Sequence, residues 1–302
     1  MSDSERLVGL DIGGTAIKVG AISKSGEILF RGAESLSDEH GAEKYLRKMV
    51  SLAKRAGVQD QLGVGIAGLV DRAAGRIDVS PNLQSLVGVE LREQLAQELG
   101  LEESKVVLEN DANVAALGEA RRGAAKGESN ALVVTLGTGI GGGLILDGKL
   151  FSGNSGLTGE LGHVVIDPDG PLCGCGARGC AETFSSGTAA RRRALEAGLP
   201  AENPGDIPLL CDQARAGNAP AISLLHDIGR DLGFALATTL TLLDIRCYVI
   251  GGGFGAALDQ LEPGIREGLE QRTFGDRVPS VRILPASLGS DAGWIGAAEL
   301  TE

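Results

Sequence analysis

A cluster of potential metal ligands lies in the middle of the 302-residue sequence. His163 ends the run Gly159-Glu-Leu-Gly-His163, and Cys173, Cys175 and Cys180 follow it closely. One imidazole and three thiolates suit tetrahedral Zn²⁺, and a site filled entirely by protein ligands is structural rather than catalytic. Free surface thiols or a Cys173–Cys180 disulfide are the alternatives. The odd number of cysteines, five in the chain, favours a metal over disulfides.

The segment Asp11-Ile-Gly-Gly-Thr15 places a carboxylate at the end of a predicted strand, just before a tight glycine turn. The backbone N–H groups of Gly13 and Gly14 can approach a phosphate closely, and the Thr15 hydroxyl adds a donor. Asp11 is suited to hold Mg²⁺ through water, because Mg²⁺ keeps several of its waters in proteins. The plain structural alternative is a β-hairpin whose glycines supply positive φ angles.

A second glycine-rich loop, Leu136-Gly-Thr-Gly-Ile-Gly-Gly-Gly143, also follows a predicted strand. Its predicted phosphate contacts are Gly137, Thr138 and Gly139. A single loop of this kind is weak evidence, but two loops that each close the first strand of a repeated unit could grip a polyphosphate from both sides. Neither loop is a Walker motif or a dinucleotide fingerprint. Both lack Gly-Lys-Ser/Thr, and a strand rather than a helix follows each of them.

The run Glu109-Asn-Asp-Ala-Asn113 lies between a predicted strand and the start of a predicted helix. Asp111 in this run has two interpretations. It is either the N-cap of the helix or a general base that orients and deprotonates a hydroxyl, with Asn110 as a hydrogen-bonding partner. The second interpretation suits phosphoryl transfer, which needs little more than a positioned nucleophile and neutralised phosphate charge.

Alternating strands and helices separate these segments. Three successive strands open the chain and three open again at residue 131, each time followed by helices and strands in alternation. The predicted strands cover 7–11, 17–23, 27–32, 62–66, 106–108, 131–136, 141–146, a strand that begins at Lys149, 247–250 and 281–284. The predicted helices cover 41–57, 91–99, 112–120, 187–197, 219–243 and 290–300. We therefore expect a duplicated α/β fold with mixed sheets and a ligand cleft between its halves.

The composition excludes several function classes. The formal net charge is −12, from 28 basic and 40 acidic residues, which argues against nucleic acid or an anionic membrane as the main partner. No stretch approaches the ~20 continuous apolar residues that span a bilayer. The first residues, Met1 to Arg6, lack the apolar core of a signal peptide. We therefore expect a cytoplasmic protein that acts on small molecules.

Taken together, these segments resemble the ROK family (repressors, open reading frames and kinases), whose members have a duplicated actin-like ATPase (ribonuclease H-like) fold with two lobes around a cleft. The resemblance implies an ATP-dependent sugar kinase that uses Mg²⁺ with its nucleotide, carries a structural zinc and employs Asp111 as the base. The sugar contacts that it implies are Asn82, Asn110, Asp111, Glu160, His163 and Glu182. It places Gly252 and Gly253 at the adenosine side of the nucleotide.

Three features depart from the family: the first bears only on a lysine contact to phosphate, and the other two bear on the substrate. Ala16 stands where many members have lysine, no Trp follows Pro81-Asn82-Leu83 as it does in glucokinase-like members, and Thr158 replaces a commoner Ala. The run Glu182-Thr-Phe-Ser-Ser-Gly187 looks most like bacterial glucokinases, so we expect glucose as the acceptor. An N-acetylglucosamine or N-acetylmannosamine kinase is the alternative, and ATP is a better expectation than polyphosphate as the donor.

Two interpretations without catalysis compete with the kinase. A ROK-type repressor carries a helix-turn-helix domain before the first glycine segment, which begins here at Asp11, so we expect no such domain. A sugar sensor would not need the complete Asn110–Asp111 pair. We expect an N-terminal lobe over residues 1–113, completed by the C-terminal helix 289–302, and a larger lobe over 114–288 that contains the zinc module 159–182. The resemblance also implies a homo-oligomer, a dimer or tetramer.

Overall fold

The computed structural model describes residues 6–36, 41–201, 203 and 206–301. The chain divides into two compact units, of which the first comprises Met1–Ser129, Gly143–Thr158 and Leu288–Glu302 and the second Asn130–Gly142 and Gly159–Ser287. The strands are β1 (Arg6–Ile12), β2 (Ala16–Ser23), β3 (Ile28–Ser35), β4 (Leu62–Ile66), β5 (Leu69–Asp71), β6 (Arg76–Val79), β7 (Val106–Asn110), β8 (Ala131–Leu136), β9 (Ile140–Leu146), β10 (Lys149–Phe151), β11 (Cys247–Gly251) and β12 (Arg282–Pro285). The helices are α1 (Ala42–Ala56), α2 (Leu91–Leu99), α3 (Asp111–Arg122), α4 (Glu182–Ser185), α5 (Gly187–Glu196), α6 (Asp206–Arg215), α7 (Ala219–Leu243), α8 (Leu258–Arg272) and α9 (Ala292–Glu299).

The first unit is built on a five-stranded mixed sheet of order β3-β2-β1-β4-β7. The strands β1, β2 and β3 form an antiparallel meander, and β4 and β7 extend it in parallel with β1. In this register Asp11 pairs with Gly65 and Gly65 pairs with Glu109. Because the carboxyl ends of parallel strands share one edge, the sheet carries Asp11 and the run that begins at Glu109 to the same edge.

Glycines in three neighbouring strands allow α9 to lie directly on one face of this sheet. A Cβ atom at Gly9 or Gly20 would collide with Trp294, and one at Gly63 would collide with the backbone of Ala297. Residues of β1 that alternate with Gly9 pack on the opposite face, in an aliphatic core completed by α1. Part of the high glycine content therefore serves close helix-on-sheet packing and not loops.

The second sheet has the order β10-β9-β8-β11-β12, and β8, β11 and β12 run parallel to one another. In the second unit the long helix α7 packs against α8 through small residues. A Cβ atom at Gly264 would lie 2.7 Å from the backbone nitrogen of Arg230, and one at Gly233 would lie 3.0 Å from the Cα of Gly268. Glycines on both helices thus bring the two backbones into direct contact.

The predicted strands and helices agree with the structure to within a few residues. The mixed sheets confirm the expected α/β class. The sequence analysis did not identify four elements: α4, α6, α8 and the β5–β6 hairpin. The interior of α8 contains Pro263, which disfavours a helix because it lacks an N–H group. Among the described residues, every helix is too short or too polar to cross a bilayer.

Candidate active site

The β1–β2 turn of the first unit presents Gly14 and Thr15 to solvent. The N–H of Gly13 donates to the carbonyl of Ala16 at 3.1 Å and closes the turn. Neither Gly13 nor Gly14 has a positive φ angle, so the alternative that these glycines supply left-handed backbone is wrong. A Cβ atom at Gly14 would lie 3.0 Å from the Cβ of Asn82. The structure therefore brings Asn82 against the predicted phosphate turn.

Asp11 lies one residue before the end of β1, with Lys18 opposite it on β2. Burial, reinforced by the negative charge of Asp111, raises the pKa of Asp11 to about 6, and Lys18 opposes this rise. A Cβ atom at Gly293, near the start of α9, would lie 2.5 Å from the Cγ of Asp11. The two predicted acidic residues thus lie near each other, and the carboxylate of Asp11 requires a glycine beside it. Lys18 and Gly293 were not among the predicted site residues.

The turn between β7 and α3 holds Asn110 and Asp111. The side-chain oxygen of Asn110 accepts hydrogen bonds from the backbone N–H groups of Ala112 at 2.8 Å and Asn113 at 3.1 Å, so Asn110 is the N-cap. Its Nδ2 donates to the carbonyl of Gly68 at 3.0 Å. The interpretation of Asp111 as the N-cap is therefore wrong: Asp111 is the first residue of α3.

Asp111 has a perturbed carboxyl group. Burial raises its pKa, while hydrogen bonds from the backbone of Ala112 and from Asn110 pull the pKa down by less than burial raises it. The backbone N–H of Ala112 lies 2.9 Å from Oδ1 of Asp111. A half-buried carboxylate with a raised pKa, next to a second acidic group, is characteristic of sites that transfer protons or bind cations.

In the second unit, the loop after β8 is held by Glu182 and by the start of α5. The N–H of Ile140 donates to Oε2 of Glu182 at 2.8 Å, and the N–H of Gly187 donates to the carbonyl of Gly137 at 2.8 Å. A side chain at Gly139 would collide with the Glu182 carboxylate. Thr138, between the two loop glycines, is exposed. The loop is thus fixed from one side while its tip faces solvent, as a phosphate-binding loop requires.

Gly252, which follows β11, lies near the start of the same loop. Gly252 has φ of +82°, and a Cβ atom there would lie 2.8 Å from the backbone nitrogen of Leu136, the last residue of β8. Gly253 has no neighbouring atom within 4 Å of where a Cβ would stand. Gly252 therefore lies against the strand end that leads into the loop of Gly137 and Gly139, and Gly253 directly follows it in the chain.

The four predicted zinc ligands form one cluster. The ligand atoms of His163, Cys173, Cys175 and Cys180 all lie within 4.8 Å of one another. Nδ1 of His163 is 3.6 Å from Sγ of Cys173, and Sγ of Cys175 is 3.6 Å from Sγ of Cys180. Tetrahedral Zn²⁺ with ordinary bond lengths needs about 3.6 Å between N and S and about 3.8 Å between two sulfurs. The residues therefore fit this ion.

The cysteines of this cluster differ in pKa, and a thiol must lose its proton to bind a metal. Burial raises the pKa of Cys180 to about 12, whereas a hydrogen bond from the backbone of Ala177 lowers the pKa of the exposed Cys175. A bound cation would remove the proton of Cys180, because coordinating thiols are deprotonated. Glu160 lies 3.8 Å from Nε2 of His163, on the other side of the ring from the sulfurs. His163 can therefore contact a metal through Nδ1 and a polar partner through Nε2.

The fold, the two glycine loops and the Cys/His cluster define a protein of the actin-like ATPase class. The chain matches the ROK family over residues 7–302 and belongs to that family. It is 35% identical to the glucokinase of Thermotoga maritima, with 98% of this chain and 96% of the relative covered. It is 33% identical to an N-acetylmannosamine kinase of Haemophilus influenzae, with 97% and 94% covered. A ROK family glucokinase from Streptomyces griseus, solved in complex with glucose and AMPPNP, superposes with a TM-score of 0.80 at 34% identity, with 98% and 99% covered.

Proposed function

We propose that this protein is an ATP-dependent kinase that phosphorylates a hydroxyl of glucose. The observation that carries the proposal is the carboxyl group of Asp111, which is half-buried, has a raised pKa and is not required as the N-cap because Asn110 fills that role. The glucokinase relatives, which align with nearly the whole chain, support the same reaction.

In this reaction Asp111 accepts the proton of the acceptor hydroxyl as that oxygen forms a bond to the terminal phosphorus of ATP. The bond between that phosphorus and the oxygen bridging it to the next phosphate breaks, and ADP leaves with the electron pair. Asp111 must begin ionised, and its raised pKa makes it a stronger base than an exposed carboxylate. Positioning and charge neutralisation supply most of the remaining rate enhancement.

The phosphates of ATP are the proposed ligands of the glycine turns. The N–H groups of Gly14, Thr15, Thr138 and Gly139 would donate to the phosphates. Gly13 and Gly137, whose N–H groups bond to the carbonyls of Ala16 and Gly139, would line the same turns, with Gly252 and Gly253 at the adenosine side. The negative charge of Asp111 raises the pKa of Asp11, and Lys18 offsets only part of this rise. A divalent cation near Asp11 would neutralise the remaining negative charge. Mg²⁺ bound with the nucleotide would neutralise phosphate charge.

The proposed zinc site is structural. His163, Cys173, Cys175 and Cys180 would fill all four positions of a tetrahedral ion, so the ion supplies cross-linking and no open coordination site. The cross-link would order the segment that runs from Glu160 to Glu182.

The proposed sugar contacts are Asn82, Asn110, Asp111, Glu160, His163 and Glu182. One oxygen of Glu182 already accepts the N–H of Ile140, so its other oxygen is the one we assign to the sugar. The lobe boundaries predicted at residues 113 and 288, and the homo-oligomer, also stay proposals.

The second candidate is an N-acetylmannosamine or N-acetylglucosamine kinase, which the Haemophilus influenzae relative favours. A coupled assay that follows ADP release with ATP and a panel of hexoses and amino sugars separates the two. We expect kcat/KM to be larger for glucose, because a site built to hydrogen-bond a hydroxyl leaves buried partners unpaired when that group is replaced. A clear preference for an acetamido sugar would overturn glucose, and no turnover with any sugar would overturn the kinase.

A further inference from the structure

Glu109 is a buried acidic residue directly before the proposed catalytic turn. It is the fourth residue of β7, and its side chain is 1% exposed. Its Oε1 accepts hydrogen bonds from the backbone N–H of Asn110 at 2.9 Å and from Nδ2 of Asn113 at 3.0 Å. Its Oε2 accepts from Oγ of Ser152 at 3.0 Å and lies 3.2 Å from Nη1 of Arg72. The carboxylate is therefore satisfied on both oxygens.

The Oε1 contacts act on both ends of the turn that presents Asp111. Glu109 holds the main chain of Asn110 before the turn and the side chain of Asn113 after it. The Asn113 amide is oriented toward Glu109 even though its Oδ1, which is buried, has no hydrogen-bond partner among the described residues. An unpaired buried carbonyl oxygen is energetically unfavourable, so the bond to Glu109 dominates the orientation of this amide.

On the Oε2 side of Glu109, Arg72 supplies the positive charge that faces the carboxylate. Arg72 lies in the turn of the β5–β6 hairpin, and its Nη1 also donates to Oγ of Ser152 at 2.7 Å. Its side chain is 46% exposed and lines a cavity of about 460 Å³ together with Asp71 and Asn154. A buried carboxylate that loses its cationic partner is strongly destabilised, so the hairpin stabilises the charge on which the turn depends.

We propose that Glu109 is the positioning residue for the Asn110–Asp111 turn and that Arg72, together with Ser152, holds its carboxylate in place. The role rests on the proposed function, because positioning is measured through phosphoryl transfer. Glu109 acts through its neighbours and does not contact the substrate. Misplacement of a catalytic group by about 1 Å can cost about 100-fold in rate.

The test replaces Arg72 and uses the open cavity beside it. Arg72→Ala is expected to lower kcat about 10- to 100-fold with little change in KM for ATP. Guanidinium chloride at about 20 mM, far below denaturing concentrations, should restore much of the loss, because the cavity can admit the ion to the place of the missing group. Arg76→Ala is the matched control: Arg76 lies in the same hairpin, pairs with Asp78 and is 41% exposed. It should keep wild-type kcat and show no response to guanidinium.

A second variant keeps the test independent of folding. Glu109→Gln should lower kcat as Arg72→Ala does, and the double variant should lose no more than Glu109→Gln alone, because coupled residues act as a unit. If Arg72→Ala fails to fold, Arg72→Lys takes its place, with a smaller loss expected because lysine keeps the charge without the planar fork.

The outcomes separate the positioning role from the proposed function. A kcat in either variant within twofold of wild type overturns the positioning role and leaves the kinase standing. The same holds for a loss in folded Arg72→Ala that guanidinium does not restore. A wild-type protein that phosphorylates no sugar overturns both.

Discussion

Replacement of Asp11 by Asn should make the protein more stable and nearly inactive. Burial and Asp111 raise the pKa of Asp11 to about 6, whereas an exposed aspartate titrates near 3.8. The charged form is therefore disfavoured in the folded state at any pH above the unfolded pKa, and the penalty is complete above pH 6. Because asparagine carries no charge, Asp11→Asn removes this penalty.

The size of the effect follows from the two pKa values. At pH 8 the penalty is at most about 3 kcal/mol, and at pH 5 it is about 1.6 kcal/mol, because the folded state then binds the proton and partly escapes the penalty. Screening by water lowers both figures where the carboxylate is reached by solvent. The stability gain of Asp11→Asn should therefore be larger at pH 8 than at pH 5, by about 1 kcal/mol.

Urea unfolding at the two pH values measures this gain in the unit that contains Asp11. Trp294, the only tryptophan in the sequence, lies in α9 of that unit and is 1% exposed, so its fluorescence reports unfolding of the first unit alone. Asp60→Asn, an exposed aspartate in the same unit, is the control and should change neither stability nor activity. Activity with ATP and Mg²⁺ should fall at least about 100-fold in Asp11→Asn.

Two results would refute this reasoning. If Asp11→Asn is no more stable than wild type at pH 8, the ionised carboxylate of Asp11 does not destabilise the folded protein. If the gain is equal at both pH values, the pKa of Asp11 is not raised.

Three further predictions concern single residues. Asp111→Asn should lower kcat by about 10²–10⁴-fold with circular dichroism unchanged, and near-normal kcat would remove Asp111 as the base. Purified protein should contain about one zinc per chain, whereas Cys175→Ser should contain little zinc and melt at a lower temperature; metal analysis that finds none in the wild type contradicts the site. Gly293→Ala should impair activity because the new methyl group displaces Asp11, while Gly275→Ala, where a Cβ meets only ordinary contacts, should be neutral in the same kinetic assay.

The sequence predicted the strands, most helices and the family because these depend on local signals. Alternating apolar runs, glycine after strand ends and the spacing of His163 and the cysteines all lie within short windows. The family resemblance, carried by those windows, is confirmed. The β5–β6 hairpin was not predicted: its strands have three and four residues, too few to show periodicity.

The sequence alone could not show which residues far apart in the chain contact one another. Gly293 follows Asp11 by most of the chain length, and nothing in its local sequence marks it as the neighbour of a carboxylate. The same holds for Arg72 and Glu109. The exchange of roles between Asn110 and Asp111 is subtler, since both residue types are good N-caps, and only the backbone shows that Asn110 has the extended conformation of a cap.

Glu182 would link the proposed zinc site to the proposed phosphate loop, although the ion would not take part in the reaction. It follows Cys180 by two residues, and its carboxylate accepts the N–H of Ile140, at the end of the predicted phosphate loop. Loss of zinc would free the cysteine segment and with it the anchor of that loop. Nδ1 of His163 faces Cys173 while Nε2 faces Glu160, so the same loss would also release a proposed sugar contact. The proposed zinc would thus influence both the proposed phosphate loop and a proposed sugar contact, because it would set the positions of the side chains at either end of its own loop.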